Sequence, residues 1–338
     1  MCGCGANHDL GSLKAEISRR AVLVGALAAG AGAVLAGAAG PGAGPALAQR
    51  DPVLDGVIDL HVHADPDVDA RSIDDAGAAA AYAQAGARAV LLKNHYLVTA
   101  DRAYIARNVS PGIEVFGGVT LNKQVGGMNA AAVQMMARIK GRYGKVVWFP
   151  TRDSENNLRR FPRNDAAVRV VDEGGELLPE TREVLKVIAG ENLAVFTGHL
   201  SPAEALTVFR EAKALGITKM MATHALADPN RFTIDQMKEA ASLGALIEHV
   251  YLASLAGPTA LSPGQRDFVN VPIEQFAESI RAVGAENCVL STDLGQAENV
   301  IHPIGFKAFI MELMQAGISQ PEVDLMARAN PARLLDLA

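Results

Sequence analysis

The strongest constraint on this chain is a rhythm. Eight short apolar runs recur along residues 51–338: Val57–Val62, Ala89–Leu92, Ile113–Gly118, Lys145–Phe149, Leu193–Gly198, Thr218–Thr223, Ala245–His249 and Cys288–Thr292. Most are rich in Val, Ile and Leu and lack the polar alternation of a half-exposed strand. They read as strands buried on both faces. Helical patterns lie between them, for example Ala130–Ile139, Pro202–Leu215, Thr233–Leu243 and Ile273–Val283. Ser201-Pro202-Ala203-Glu204 carries a capping box with proline at the first helical position. Gly216 and Gly244 stand where helix C-caps belong. Strand and helix repeated eight times predict an α/β fold, a (β/α)8 TIM barrel, with a doubly wound open sheet as the rival. One connection is too long for a plain turn. Residues 151–178 hold Arg152, Arg159, Arg160, Arg163 and Arg169 with Asp153, Asp165 and Asp172. They predict a loop excursion after strand 4, over the C-terminal face of the barrel. Arg159, Arg160 and Arg163 read there as solvated charges. Met135, Met136, Met311 and Met314 fall in helical patterns and are expected in the core.

The histidines mark one end of these strands. Beyond His8 they are His61, His63, His95, His199, His224, His249 and His302. All but His302 lie at the C-terminal end of a proposed strand or just past it, and His302 sits in the loop after the eighth. In a barrel that end is the catalytic face. Within Ile58-Asp59-Leu60-His61-Val62-His63, side chains alternate, so Asp59, His61 and His63 are expected on one face and Ile58, Leu60 and Val62 on the other. Two neutral imidazoles on one face suit a divalent first-row metal, although a pair of hydrogen-bonded histidines looks the same in sequence. The fifth strand ends in His199, the sixth in His224 and the eighth in Asp293. Four histidines and one aspartate therefore converge from strands 1, 5, 6 and 8.

In this pattern the chain resembles the amidohydrolase superfamily, metal-dependent hydrolases on a (β/α)8 barrel. Asn330-Pro331-Ala332-Arg333-Leu334-Leu335 also looks like the closing helix of that superfamily. The resemblance covers nearly all of residues 49–338 and is silent on substrate. It implies one or two divalent metal ions, zinc foremost. His61, His63 and Asp293 would hold one ion. His199 and His224 would hold the second, or one of them would complete the first. It implies hydrolysis of a C–N or C–O bond in a small-molecule amide, cyclic amide, lactone or ester, with Asp293 moving the proton. His249, at the end of strand 7, is a second catalytic candidate. Asn94, His95, Arg152 and His302 are candidates for substrate binding.

One departure matters. Two-metal members of the superfamily carry a carboxylated lysine or a glutamate at the end of strand 4. Here that strand ends Trp148-Phe149-Pro150-Thr151-Arg152-Asp153. Strand 2 instead ends Leu91-Leu92-Lys93-Asn94-His95. A lysine after such a run is costly to bury unless it is paired or modified. A carboxylated Lys93 would be an anionic metal bridge. The rival keeps an ammonium that holds a substrate anion or Asp59. The missing strand-4 ligand also leaves open a metal-dependent decarboxylase on the same barrel. A third reading is a non-catalytic, exported metal-binding barrel.

Composition sets the remaining bounds. Of 338 residues, 49% are hydrophobic and 20% charged, which excludes a disordered chain. The net charge of -6 leaves no basic footprint for nucleic acid. The cysteines, Cys2, Cys4 and Cys288, are too few for a disulfide framework or a cysteine zinc cluster. Residues 1–48 stand apart. Ser18-Arg19-Arg20 precedes an uncharged Ala/Gly-rich run that closes with Ala46-Leu47-Ala48. This is the layout of a signal peptide, and the arginine pair resembles a twin-arginine export signal. The run is long enough for a membrane anchor, but its glycines, Pro41 and Pro45 disfavour a spanning helix. Cleavage after Ala48 would release one barrel domain, residues 49–338, to the periplasm or the exterior. The twin-arginine export machinery would be a partner. By resemblance that route carries folded proteins, often with cofactor in place, which fits a metal acquired before export. A homo-oligomer is compatible with such a barrel.

Overall fold

The computed structural model describes residues 50–337. The expected leader, residues 1–48 with Cys2 and Cys4, lies outside them. The strands are β1 (Ile58–His63), β2 (Ala89–Lys93), β3 (Glu114–Thr120), β4 (Gly144–Trp148), β5 (Ala194–Phe196), β6 (Met220–Ala222), β7 (Leu246–Val250) and β8 (Cys288–Ser291). They form one eight-stranded parallel sheet in chain order. The last strand returns to the first. Asp293 N donates to His61 O at 2.9 Å, His63 N donates to Leu294 O at 3.0 Å, and Val62 and Leu294 form a parallel bridge. Strand order that never reverses, and ends that meet, make this a (β/α)8 TIM barrel and not a doubly wound sheet.

The helices are α1 (Asp75–Ala85), α2 (Ala100–Val109), α3 (Ala130–Arg138), α4 (Glu155–Arg160), α5 (Pro179–Gly190), α6 (Pro202–Ala214), α7 (Ile234–Ser242), α8 (Leu252–Leu255), α9 (Ile273–Val283), α10 (His302–Gln315), α11 (Gln320–Asp324) and α12 (Asn330–Leu334). The Ser201/Glu204 capping box forms at the start of α6. Gly216 (φ 79) and Gly244 (φ 101) take the left-handed turn after α6 and α7. Alternate side chains of the strands serve two cores. Val90, Leu92, Val147, Val195, Ile247 and Leu290 pack outward against the helices. Ile58, Leu60, Leu91, Trp148, Phe196 and Met221 fill the barrel, where Ala332, Leu334 and Leu335 join them. Asn330 Nδ2 ties that closing segment to Ala285 O and Cys288 O at 3.0 and 2.8 Å.

Three expectations need correction. Met136 is buried, but Met135, Met311 and Met314 are exposed. Helix α3 buries Val133, Met136 and Ala137, and α10 buries Phe306, Phe309, Ile310 and Leu313, so the other three methionines fall off the three-four stripe. The loop after β4 forms α4 and lines the barrel mouth, but its arginines are not all free. Arg160 pairs with Asp228 at 3.1 Å and Arg163 with Asp153 at 2.9 Å. Strand β1 does not keep a single alternation. Its register to β2 shifts between Asp59 and Val62. Ile58 and Leu60 point into the barrel, while Asp59 points out and accepts from Tyr82 Oη of α1 and from Thr292 Oγ1. This bulge resets the phase so that His61 and His63 enter the mouth beyond the two apolar residues.

Candidate metal centre

The floor of the mouth is a convergence of strand ends. His61 and His63 come from β1, Lys93 from β2, Glu248 from β7, and His199, His224 and Asp293 from the turns after β5, β6 and β8. Two of these residues sit on unusual backbone. His224 has φ 28 and Asp293 has φ 54. Such left-handed positions cost on the order of 1–3 kcal/mol each in a residue with a Cβ and survive only where surrounding bonds fix them. The bonds are present: His224 N donates to Glu248 Oε2 at 2.8 Å, and Asp293 N to His61 O. Before His199, Gly198 has φ 59, and a Cβ there would lie 2.2 Å from Phe149 O. Only glycine lets the chain turn that close to β4.

His61 is held at both nitrogens. Nδ1 lies 3.1 and 3.2 Å from the two oxygens of Glu248. Nε2 lies 2.9 Å from Asp293 Oδ1 and 2.8 Å from Lys93 Nζ. His63 Nε2 is 3.2 Å from the same Asp293 oxygen. Ligand atoms of His61, His63 and Asp293 all lie within 4.8 Å of one another and could hold a metal ion. The His224 ring is stacked near His61 at 5.9 Å and meets His199 edge-on at 4.9 Å. His199 Nδ1 is 2.9 Å from Asn157 Oδ1.

The donor chemistry fits a cation. Carboxylates stand at both nitrogens of His61, Glu248 at Nδ1 and Asp293 at Nε2, and together they raise its pKa against the cost of burial, so each nitrogen needs a proton or a cation facing its carboxylate. Lone pair and carboxylate 2.9 Å apart repel unless a proton or a cation stands between them. Two other ring nitrogens, His63 Nδ1 and His224 Nδ1, are buried without a partner among the described residues. Burial pushes His63 and His199 well below the ordinary histidine range and His224 down to about 4. They are neutral at physiological pH, the form that ligates metals. Burial works to raise the carboxyl of Asp293, but the facing His61 and His63 override it and hold the group well below the usual range. Burial brings Lys93 down to about 8 against the pull of Asp293 and Glu248.

Above this floor opens a cavity of about 730 Å³. His63, His95, His199, His224 and Asp293 line it, with Arg152 on one side and Phe161 and Phe268 on another. Of the expected site residues, the fold gathers His61, His63, Lys93, His95, His199, His224, Asp293 and Arg152 here. It turns three away. His249 points out of the barrel and packs edge-on against Phe276 of α9, ring centres 5.6 Å apart, because Glu248 takes the inward place on β7. His302 is a strut: its Nε2 donates to His63 O at 2.8 Å and Leu294 O at 3.0 Å, and it is fully buried at the head of α10. Asn94 shapes the turn after β2, its Oδ1 accepting from Tyr96 N and Leu97 N at 2.8 and 2.9 Å. Nor does Lys93 hold Asp59, which the β1 bulge has turned outward. Glu248 is the functional residue the motif reading missed. Strict alternation along Leu246–Val250 puts either Glu248 or His249 inside, and the histidine drew attention because it matched the other strand ends.

A family model described as a family of unknown function (DUF6282) matches residues 56–248. The chain belongs to that family. The matched span includes every candidate ligand except Asp293. No curated protein matches. Among solved structures, the chain is similar to an amidohydrolase from Pseudomonas aeruginosa, at 14% identity and TM-score 0.55, covering 86% of this chain and 97% of that one. A lactonase template engineered for organophosphate hydrolysis aligns at 16% and 0.55, covering 86% and 98%. A putative 2-pyrone-4,6-dicarboxylic acid hydrolase from Pseudomonas putida aligns at 16% and 0.51, covering 83% and 98%. These neighbours are amidohydrolase-superfamily TIM barrels. At such identities they establish the shared fold.

Proposed function

We propose that this protein is a metal-dependent hydrolase of the amidohydrolase type, cleaving a C–N or C–O bond of a small molecule. The observation that carries the reading is the convergence of His61, His63 and Asp293 on one point at the cavity floor. These three would hold the first divalent ion. His199 and His224 face the same floor and would hold a second. Imidazole and carboxylate donors suit zinc. A bound ion supplies Lewis acidity toward the substrate carbonyl and acidifies water at neutral pH.

The chain's own residues account for the proton. The Asp293 carboxylate accepts it from the attacking water as the new C–O bond forms. It returns it to the leaving nitrogen or oxygen as the old bond breaks. Glu248 keeps the His61 proton on Nδ1, so Nε2 stays free to ligate. Lys93, buried and 2.8 Å from His61, is the residue that would supply a bridging anion if carboxylated. With its pKa drawn down to about 8, a minority of Lys93 is the free amine at neutral pH, and the free amine adds CO2 to give a carbamate and a proton. We include a carboxylated Lys93 in the proposal. Export along the twin-arginine route, with cleavage after Ala48, belongs to it as well, and N-terminal sequencing of the mature protein tests that part.

The decisive experiment is elemental mass spectrometry of protein purified without added metal, followed by a screen of amides, lactones and esters. Two ions per chain, and turnover that Asp293→Asn reduces by 10²-fold or more, are the expected results. One ion would remove the bridging carbamate. Release of CO2 in place of hydrolysis would make the protein a decarboxylase. Metal without turnover would make it a binding protein, and no metal uptake would overturn the reading.

A further inference from the structure

His95 and His199 look alike in sequence, each just past a buried strand, but their hydrogen bonds give them opposite tautomers. His95 Nδ1 lies 2.9 Å from Thr151 Oγ1. The neighbouring Asn122 settles which of the two donates. Its Oδ1 accepts from Thr151 N and Asp153 N, so its Nδ2 must be the donor to Thr151 Oγ1, at 2.7 Å. Thr151 is fully buried, and its own hydroxyl proton has one acceptor among the described residues, His95 Nδ1. Leaving that proton unpaired in a buried site would carry the full cost of its desolvation. The network therefore puts the His95 proton on Nε2, the nitrogen left for the cavity that His95 lines. His199 resolves the other way. Asn157 Nδ2 donates to Arg152 O, so Asn157 Oδ1 accepts from His199 Nδ1 and leaves Nε2 with a lone pair. His199 offers a lone pair, as a metal ligand does. His95 offers an N–H.

Arg152 lines the same cavity. Its guanidinium is braced by Tyr96 Oη at 2.9 Å and meets Asp69 at 2.8 Å in a pair that is partly open to solvent on both sides. A partly exposed pair of that kind contributes little, so an entering carboxylate can displace Asp69 from it. The lining also includes apolar side chains among charged ones such as Arg71, Arg163 and Asp267. Phe161 and Phe268 stack at 4.5 Å, and Val68 and Val269 lie exposed at the same cavity.

We propose that His95 Nε2–H and Arg152 form an anion subsite beside the candidate metal ligands, the His95 ring lying 4.9 Å from His63 and 6.0 Å from His199, and that the substrate is a small carboxylic acid with an apolar or aryl body. The inference deepens the hydrolase reading and rests on it for what happens to the bound acid. It makes His95 a substrate-contacting donor and Thr151 a positioning residue that sets its tautomer.

The test uses binding, so that it stands apart from turnover. Calorimetry would compare 2-naphthoate with its neutral analogue 2-naphthalenemethanol, on metal-loaded and on chelated protein. The acid should bind at least tenfold tighter in both. Arg152→Met should abolish that preference while sparing the alcohol, whose unchanged affinity reports an intact cavity. His95→Leu and Thr151→Val should each cut it about fivefold. His95→Gln, which keeps a donor, should retain it, and metal content should stay at the wild-type value in all four. Long-range ¹⁵N–¹H correlation on chelated protein should show His95 protonated at Nε2. An acid bound no better than the alcohol would overturn the proposal. So would a preference that disappears on chelation but survives Arg152→Met, since the metal would then hold the carboxylate. Loss of metal in His95→Leu, or a proton on Nδ1, would make His95 a ligand and overturn it too. A preserved preference with no hydrolysis of any aryl-acid amide or lactone would remove the hydrolase reading and leave the subsite.

Discussion

Replacing His249 by leucine tests both the inside-out assignment of β7 and the energetics of its buried imidazole. The ring is fully buried against Phe276, and neither nitrogen has a partner among the described residues. Burial drives its pKa from 6.5 to about 4, and only the nearby Glu248 charge resists. The folded-state pKa is thus depressed. Between about pH 6.5 and 4 the unfolded chain takes up a proton that the folded chain refuses, so stability falls as the pH drops through that window. Proton linkage across a gap of that size makes the wild type about 2–3 kcal/mol less stable at pH 4.5 than at pH 7 through this residue alone. His249→Leu removes that loss at nearly the same side-chain volume. Other buried histidines titrate in both proteins and cancel in the comparison. Urea unfolding of both proteins at pH 7 and pH 4.5 measures the difference. The variant should be equal to or more stable than wild type at pH 7, and its advantage should grow by about 2–3 kcal/mol at pH 4.5. It should keep its metal and its turnover. An advantage independent of pH would refute the burial argument, and loss of turnover would return His249 to the active site.

Three further outcomes follow from the geometry. Glu248→Gln should weaken metal retention by tenfold or more, read by chelator competition, because the group that fixes the His61 tautomer loses its charge. An unchanged metal affinity would mean that Glu248 only holds the turn at His224. Gly198→Ala forces a Cβ onto Phe149 O at positive φ, and it should destabilise the fold by about 1–3 kcal/mol and displace His199, seen as reduced metal occupancy. Cys288 is buried in β8, and burial pushes its thiol far above the ordinary range, so iodoacetamide should label it only after unfolding in urea. Labelling of native protein at neutral pH would contradict that burial.

The histidine positions were legible because both conditions for reading them are local. A strand buried on both faces shows itself as an unbroken apolar run, and a polar residue that ends such a run must sit at the sheet's rim. Hence His61, His63, His199, His224 and Asp293 could be assigned to one face of the barrel before any coordinates. His249, Asn94 and His302 passed the same local test and failed in three dimensions. Strand parity sends His249 outward, and Asn94 and His302 spend their polar atoms on the backbone of neighbouring turns. Glu248 failed the opposite way. Nothing in Ile247-Glu248-His249 says which polar side chain enters the barrel when both faces of the strand are dry.

The sequence by itself determined the alternation of buried strands and amphipathic helices, the caps that bound them, and the end of the barrel where the chemistry lies. These follow from short-range periodicity and from the cost of burying a polar group. Tertiary structure decided the phase. The β1 bulge turned Asp59 outward and both histidines inward, Glu248 won the inward place on β7, and Asn122 and Thr151 fixed the hydrogen bond of His95. Each of these depends on a hydrogen bond between residues on different strands. A neighbour across the barrel fixes a side chain's direction and its proton, and local sequence holds no record of that neighbour.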